Sequence, residues 1–487
     1  MTLSTQGLAR RSIGPTTLWV LGVSASAPMT VLAGGVTSTY AATEVVGVPL
    51  SFLLLGAALG VAAVGPAALV RDTPPHAATF AALLAHGLGR GAGVAGAAVA
   101  LVSYNAIQIG LYGLLGATLA ALLAGPWWAW AGAAWVVLGA AGVARLHANT
   151  RVIAAVLVGE VAVIGAVLLA AVVAPAQPGA GWEPVGWENL FTGGVGTVFA
   201  LGVAAFVGFE SVTAFGEETR DRRSIARAMT AVLVFLSVLY TAASWALAVA
   251  VGPALVADAA RDQGAQLPIT VLADTAGPVV AGLGLVMVVL SVLGAMAAFH
   301  HVVARYLYAL GREGVLPNRL GGVRGRGGVP VTGSLVQSGT ALAVLVGAAV
   351  TGVDPVVLFV TLSTLAALGV ISLMIAACAA TLGYYHRLQR TGQPVLSRWQ
   401  RLHAPLLGGA ALLAVLAVTL AQLSTTTGDT SGATQWVLPA VLVATAGTGA
   451  VWTSWLRRHR PASWTAIGRG QPRPLAVLDR DLSDLPL

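Results

Sequence analysis

Apolar residues dominate the chain in long unbroken runs, and polar residues gather in the short stretches between them. A run of about 17 to 25 apolar residues is long enough to cross the hydrocarbon of a bilayer as a helix. Twelve such runs are read. The first six cover about 17–40, 47–70, 93–124, 127–144, 152–174 and 192–216. The next six cover about 228–252, 279–305, 332–351, 356–385, 405–423 and 436–456. The third and tenth are long enough to tilt. The pattern predicts an all-α integral membrane protein, with residues 1–16 before the first helix and a solvated, proline- and charge-rich tail over 457–487.

Composition agrees with lipid as the solvent. Hydrophobic residues make up 57% of the chain and charged residues 9%, with a mean hydropathy of +0.84, whereas water-facing domains carry about 25% charge. All 26 basic residues are arginine. Without lysine there is no G-x-x-x-x-G-K-[ST] phosphate loop and no lysine Schiff base. The single cysteine, Cys378, permits neither a disulfide framework nor a CxxC metal site. Arg10 and Arg11 followed by an apolar stretch and Ser24-Ala25-Ser26-Ala27 imitate a cleavable signal, but the run continues past Pro28 to Tyr40 and reads as a spanning helix.

The arginines set an orientation, since cytoplasmic loops collect them. Arg10 and Arg11, Arg71 and Arg90, Arg145 and Arg151, Arg220–Arg227, Arg305–Arg326, Arg387–Arg401 and Arg457–Arg460 fall in alternate loops and at the termini. The intervening loops carry Glu44, Glu183, Glu188, Asp258, Asp274, Asp354 and Asp429 against one arginine, Arg261. Both termini are therefore expected in the cytoplasm. The net charge of +8 and the arginine-glycine stretch 319–328 are explained by this asymmetry without a nucleic-acid partner. Gly91–Gly96 matches a dinucleotide fingerprint by letters, but it follows no strand and predicts close helix packing.

Transport sites of one large class lie where two helices break at the membrane midplane in corresponding positions of two inverted halves. The first run carries Ser24-Ala25-Ser26-Ala27-Pro28 with Gly34-Gly35 beyond, and Pro28 removes a backbone donor. The sixth carries Gly202 and then Ala205-Phe206-Val207-Gly208-Phe209-Glu210. A spacing of five helices makes the second unit enter the membrane from the opposite side. Such a site suits a zwitterion: a half-helix N-terminus presents free amides and partial positive charge to a carboxylate, and the opposite ends present carbonyls to an ammonium. The carboxylate is placed near the amides of Ser26, Ala27 and Met29, and the ammonium near the carbonyls of Ala205, Phe206 and Val207. Tyr104 and Gln108, one turn apart, either line the pocket or bond to a neighbouring helix.

The run Phe206–Glu210, with Glu217-Glu218-Thr219-Arg220-Asp221 and Ser224–Ala228 after it, resembles the F-x-G-F-E … E-E-x-x-x-P … I-P-R-A stretch of amino acid permeases. Arg305–Pro317 resembles the same family's R-x-x-Y-A-L-x-R-D-G-x-L-P after its eighth helix. The family belongs to the amino acid-polyamine-organocation superfamily. The resemblance implies a leucine-transporter-type fold, with a 5+5 inverted repeat over residues 17–174 and 192–385, two peripheral helices over 405–456, and Phe206 as an aromatic gate. Ser24-Ala25-Ser26 stands where many relatives have Gly-Ser-Gly. Arg222 or Arg223, and Ala226, stand where prolines are usual.

Ionisable residues within hydrocarbon are costly and mark function. Glu160 lies mid-span in the fifth run, where some relatives of the superfamily carry a lysine in place of a sodium ion, and a carboxylate there can bind and release a proton. His300 and His301 are further proton candidates, each set against a structural role. Glu210 follows the second break, where bonding to frayed backbone is weighed against proton transfer. In this fold the second sodium site draws on hydroxyls of the eighth helix, and Ser291 is the one hydroxyl between Val279 and Ala304, well before the histidines. Proton coupling is expected over sodium coupling.

The reading is an amino acid permease of the cytoplasmic membrane, with obligate exchange or polyamine and organic-cation transport as alternatives. A non-transporting receptor, marked by a long signalling domain, is the alternative of another class. No H-E-x-x-H, G-x-S-x-G or clustered metal ligands point to an enzyme or a cofactor. The pattern fixes no oligomeric state.

Overall fold

Backbone N–H and C=O groups in hydrocarbon find no water, and a helix satisfies them internally. In the computed structural model the apolar runs fold accordingly. Residues 13–74, 76, 78–143, 150–323, 329–391 and 396–470 are described. Arg10, Arg11, Arg145, Arg324, Arg326 and the tail beyond residue 470 lie outside them.

Among the described residues eleven helices have the length and apolarity to span: α1 Pro15–Thr43, α2 Val48–Asp72, α3 Arg90–Leu123, α5 Arg151–Val173, α6 Val195–Phe215, α7 Arg223–Val251, α8 Pro278–Arg312, α9 Val331–Thr351, α10 Pro355–Arg390, α11 Trp399–Ala421 and α12 Thr434–His459. The twelfth, α4 Trp127–Val143, is a shorter apolar helix. Each coincides with one predicted run to within several residues. α3 and α10 are long, as the pattern predicts, and pack against each other; α8 is as long, at 35 residues, because its helix continues to Arg312, past the end of the apolar run. α11 lies on α2 and α10, α12 lies on α3, and both expose leucine or valine faces outward.

The connections hold structure that the apolar pattern does not mark. A buried helix, Thr79–Leu88, lies between α2 and α3. Two short helices, Val256–Gln263 and Leu267–Ala276, lie between α7 and α8. In the Gly91–Gly96 stretch the last two glycines pack closely, as expected: a Cβ on Gly93 would stand 2.7 Å from the Ala85 side chain, and one on Gly96 2.6 Å from Leu84, while Gly91 faces open space.

The solvated tail needs correction. Pro461–Ala466 forms a short helix, and Ser463, Ala466 and Ile467 are buried. Gly468 and Gly470 donate their amides to Glu313, just after α8, at 3.2 and 2.9 Å. Arg90 and Arg457 both stack on Trp464.

Side-chain contacts gather the arginine-bearing loops at one end of the molecule. Arg305 pairs with Glu218 at 3.0 Å and Arg312 with Glu217 at 2.7 Å. Arg387 donates to the Gly87 carbonyl at 2.8 Å. Ile13 bridges to the loop after α6, donating to the Glu218 carbonyl and accepting from the Arg220 amide, both at 3.1 Å. At the other end of α1, Arg261 pairs with Glu44 and Asp258 at 2.5 and 2.6 Å. That accounts for the lone arginine among the acidic loops.

Candidate functional site

Both expected breaks form, and they touch. α1 is α-helical over Pro15–Ala25; Ala27 then takes a left-handed φ of +45°, and the chain restarts at Pro28 with a wide π turn over Val31–Val36. α6 is α-helical over Val195–Phe206; Val207 is extended, Gly208 takes φ +119°, and a tighter 3-10 segment follows over Phe209–Phe215. A Cβ on Gly208 would lie 3.0 Å from the Ala25 carbonyl group and 3.2 Å from the Ser26 nitrogen. Only glycine supplies that φ and that approach without strain.

The broken backbone is capped by side chains from three other helices. Met29 donates its amide to Glu160 of α5 at 3.3 Å. Thr30 donates its amide and its hydroxyl to Ser291 of α8 at 3.1 and 3.0 Å. Tyr240 of α7 donates to the Ser26 carbonyl at 2.9 Å. The amides of Ser26 and Ala27 bond back to carbonyls at Val23 and Ser24. The amides that the sequence offers to a substrate carboxylate are thus all engaged. A side-chain carboxylate, Glu160, sits at the half-helix N-terminus, where the helix dipole favours negative charge.

At the second break Glu210 bonds to frayed backbone, accepting from the Gly208 amide at 3.1 Å, and it accepts from the Tyr104 hydroxyl at 2.9 Å. Tyr104 stacks with Phe299 and meets Tyr306 edge-on. Gln108 accepts from Gln337 of α9. Tyr104 and Gln108 therefore bond to neighbouring helices and leave the pocket to others. His300 lies within 2.6 Å of the Ser334 hydroxyl, and His301 meets His300 edge-on.

Between the breaks lies a small cavity of about 40 Å³. Ala25, Ser26, Ala27 and Thr30 of α1 line one side, and Ala204, Ala205 and Val207 of α6 another; Ile107, Phe299 and Phe359 close it. Ser363 of α10 also lines it, buried and with no hydrogen-bond partner on its hydroxyl among the described residues. Phe206, the aromatic gate that the resemblance implies, does not line this space. It packs between Phe52 and Tyr240 at ring distances of 6.2 and 5.7 Å. Ala204 and Ala205 at the end of the helix and Val207 just beyond it, where the chain turns extended, border the cavity, and the Phe206 ring turns instead towards α2 and α7.

Sequence reasoning leaves out Thr30, Tyr240 and Ser363 and sets Ser291 apart from the chemistry. Their common signal is a hydroxyl in an apolar run. Many such hydroxyls bond only to the preceding turn of their own helix, as Thr118 does to the Leu114 carbonyl at 2.8 Å, so the signal does not single these out.

Among the described residues, eleven spanning helices and the shorter α4 pack around a small cavity, and two of them break where they meet; these features define a membrane transporter of the type built on discontinuous helices. A family profile described as amino acid permease matches residues 18–462. The chain belongs to the amino acid permease family of the amino acid-polyamine-organocation superfamily. It is a multi-pass membrane protein and an amino acid transporter, in a family of transporters rather than enzymes. A search of curated proteins finds no match.

Proposed function

We propose that the chain is a proton-coupled permease for amino acids with small or apolar side chains, working in the cytoplasmic membrane with its arginine-rich end inward. The observation that carries the coupling is the Glu160 carboxylate on the Met29 amide at the break of α1. A substrate carboxylate needs the same half-helix N-terminus that Glu160 occupies, so the two anions compete for it. Protonation of Glu160 removes its charge and weakens its hold on the amide, and the substrate carboxylate then takes the place beside Met29 and Thr30. Proton and substrate bind together, and loss of the proton on the inner side drives the carboxylate of Glu160 back and the substrate out.

The ammonium is assigned to the carbonyl end of the first part of α6, around Ala205, Phe206 and Val207, since the last carbonyls of a helix lack intrahelical donors. The Ser363 hydroxyl supplies one further polar contact. The lining by alanine, valine, isoleucine and phenylalanine supports an uncharged side chain and disfavours polyamines, for which Glu160 and Glu210 are both already engaged. The two breaks five helices apart, and inserted helices after both α2 and α7, support the inverted repeat of α1–α5 and α6–α10 with α11 and α12 outside it. The arginine asymmetry supports the inward orientation.

The test is uptake of radiolabelled amino acids and polyamines into liposomes, with and without an inward proton gradient. Gradient-stimulated uptake of small apolar amino acids is the expected result. Uptake that requires internal substrate and ignores the gradient would make the protein an exchanger, and binding without flux would make it a receptor.

A further inference from the structure

A groove of about 930 Å³ opens between α2 and α7 at the arginine-rich end, away from the breaks themselves. Its rim carries three guanidinium groups, Arg71, Arg223 and Arg227, together with Gln400. Among the described residues no carboxylate lines it. Asp72 is held by Arg71 at 3.3 Å and by the Tyr385 hydroxyl at 2.7 Å. Asp221 caps α7 by accepting the Arg223 amide at 3.0 Å.

The order of chemistry along the groove is that of an amphiphile. On α7, Arg223 and Arg227 are one turn apart, and the same face continues through Thr230 to Val234 and Val238, which are 60% and 59% exposed. From Arg227 to Val238 the helix rises about 16 Å, about half the thickness of the hydrocarbon core. Cationic positions therefore sit at the membrane interface, and an apolar channel runs inward to the depth of one leaflet. Trp19, on the first half of α1, closes the groove edge-on to Phe235 with ring centres 5.1 Å apart.

We propose that this groove is a binding site for an anionic phospholipid, with the phosphate at Arg223 and Arg227 and an acyl chain along Val234 and Val238. Neutral lipid offers the same chain but no net charge for the rim, so the site discriminates by headgroup. Basic residues at a membrane surface each contribute to anionic-lipid binding. Because Trp19 belongs to the half of α1 that ends at the break, the occupant touches the transport machinery without lying in the substrate cavity.

The experiment uses the full chain in detergent, titrated with phosphatidylglycerol and with phosphatidylcholine of identical chains and read by native mass spectrometry. The wild type is expected to retain phosphatidylglycerol over phosphatidylcholine. Arg223→Gln with Arg227→Gln is expected to weaken phosphatidylglycerol retention by about twenty-five-fold, at roughly fivefold for each arginine, and to leave phosphatidylcholine unchanged. Val234→Trp, at a position 60% exposed on the groove wall, is expected to fill the channel and lower retention of both lipids. If the double variant does not fold, Arg227→Gln alone and Val234→Trp carry the test. Equal retention of both lipids by the wild type, an unchanged preference in the arginine variants, or full displacement by inorganic phosphate would each overturn the proposal, the last by making the rim a free-anion site.

Discussion

At Gly208 the backbone adopts φ +119° and passes 3.0 Å from the Ala25 carbonyl group. Alanine there meets both a left-handed penalty of about 1–2 kcal/mol and a backbone contact that cannot yield. Gly208→Ala is therefore expected to lower thermal stability in detergent and to abolish uptake, whereas Gly339→Ala, with open space around its Cβ, changes neither. The Ser363 hydroxyl, on the cavity wall, has no hydrogen-bond partner among the described residues. If its hydroxyl bonds the substrate, Ser363→Ala raises KM about fivefold with little change in kcat, the size of one ordinary hydrogen bond of about 1 kcal/mol. An unchanged KM would remove Ser363 from the site. Glycine and proline marked both breaks in the sequence because they act on their own backbone. The partners of those breaks were not legible in the same way. Whether Glu160, Ser291 or Tyr240 reaches α1 depends on which face of a distant helix turns inward, and a run apolar on every face carries no such mark.

Among the elements, the segment after α12 departs furthest from its sequence reading. Proline and charge predict solvation, yet residues 461–470 dock on Glu313 and on the buried helix Thr79–Leu88. His76 accepts the Ala78 amide on Nδ1 at 2.9 Å, so its Nε2 carries the proton that faces Glu313 at 2.8 Å. Burial alone raises the Glu313 carboxyl, but His76 and the Gly468 and Gly470 amides outweigh it and hold the group below the usual carboxylate range. A carboxylate depressed in the docked state stabilises docking at neutral pH, and that contribution disappears as pH falls through the depressed value, below the ordinary glutamate range. Amide hydrogen exchange over residues 461–470 is expected to stay slow from neutral pH down to that range and to accelerate below it. Glu313→Ala should speed it at neutral pH, and exchange indifferent to the substitution would show that docking rests on Trp464 instead. The spanning helices, and α4 with them, were legible because each apolar run extends over about 17 residues or more. Short docked elements were not, because their burial comes from tertiary neighbours.

Over the whole molecule, the two sequence motifs that resemble the permease family prove to be one ion-paired unit. Glu217 and Glu218 of the first clasp Arg312 and Arg305 of the second, and Ile13 ties the start of α1 to the same loop. With the Glu44–Arg261–Asp258 set at the opposite end, α1 is anchored at both ends around its break. The Arg305–Glu218 side chains are 16% and 11% exposed, and breaking such a buried pair from one side costs about 3–5 kcal/mol. Glu218→Arg is expected to destabilise the arginine-rich end, and Glu218→Arg with Arg305→Glu to recover part of the loss, measured by unfolding temperature and by accessibility of introduced cysteines. The arginine distribution had already grouped these loops at one end. It could not say which glutamate meets which arginine, since that is set by the seven-residue spacing of Arg305 and Arg312 along one face of α8. The central claim, that Glu160 and the substrate carboxylate compete for the broken end of α1 under the control of one proton, is tested most directly by amino acid uptake into liposomes across an imposed proton gradient, comparing the wild type with Glu160→Gln. Uptake stimulated by the gradient in the wild type, and substrate binding that persists in Glu160→Gln without gradient-driven accumulation, is the predicted result. A variant that still accumulates substrate on the gradient would contradict it.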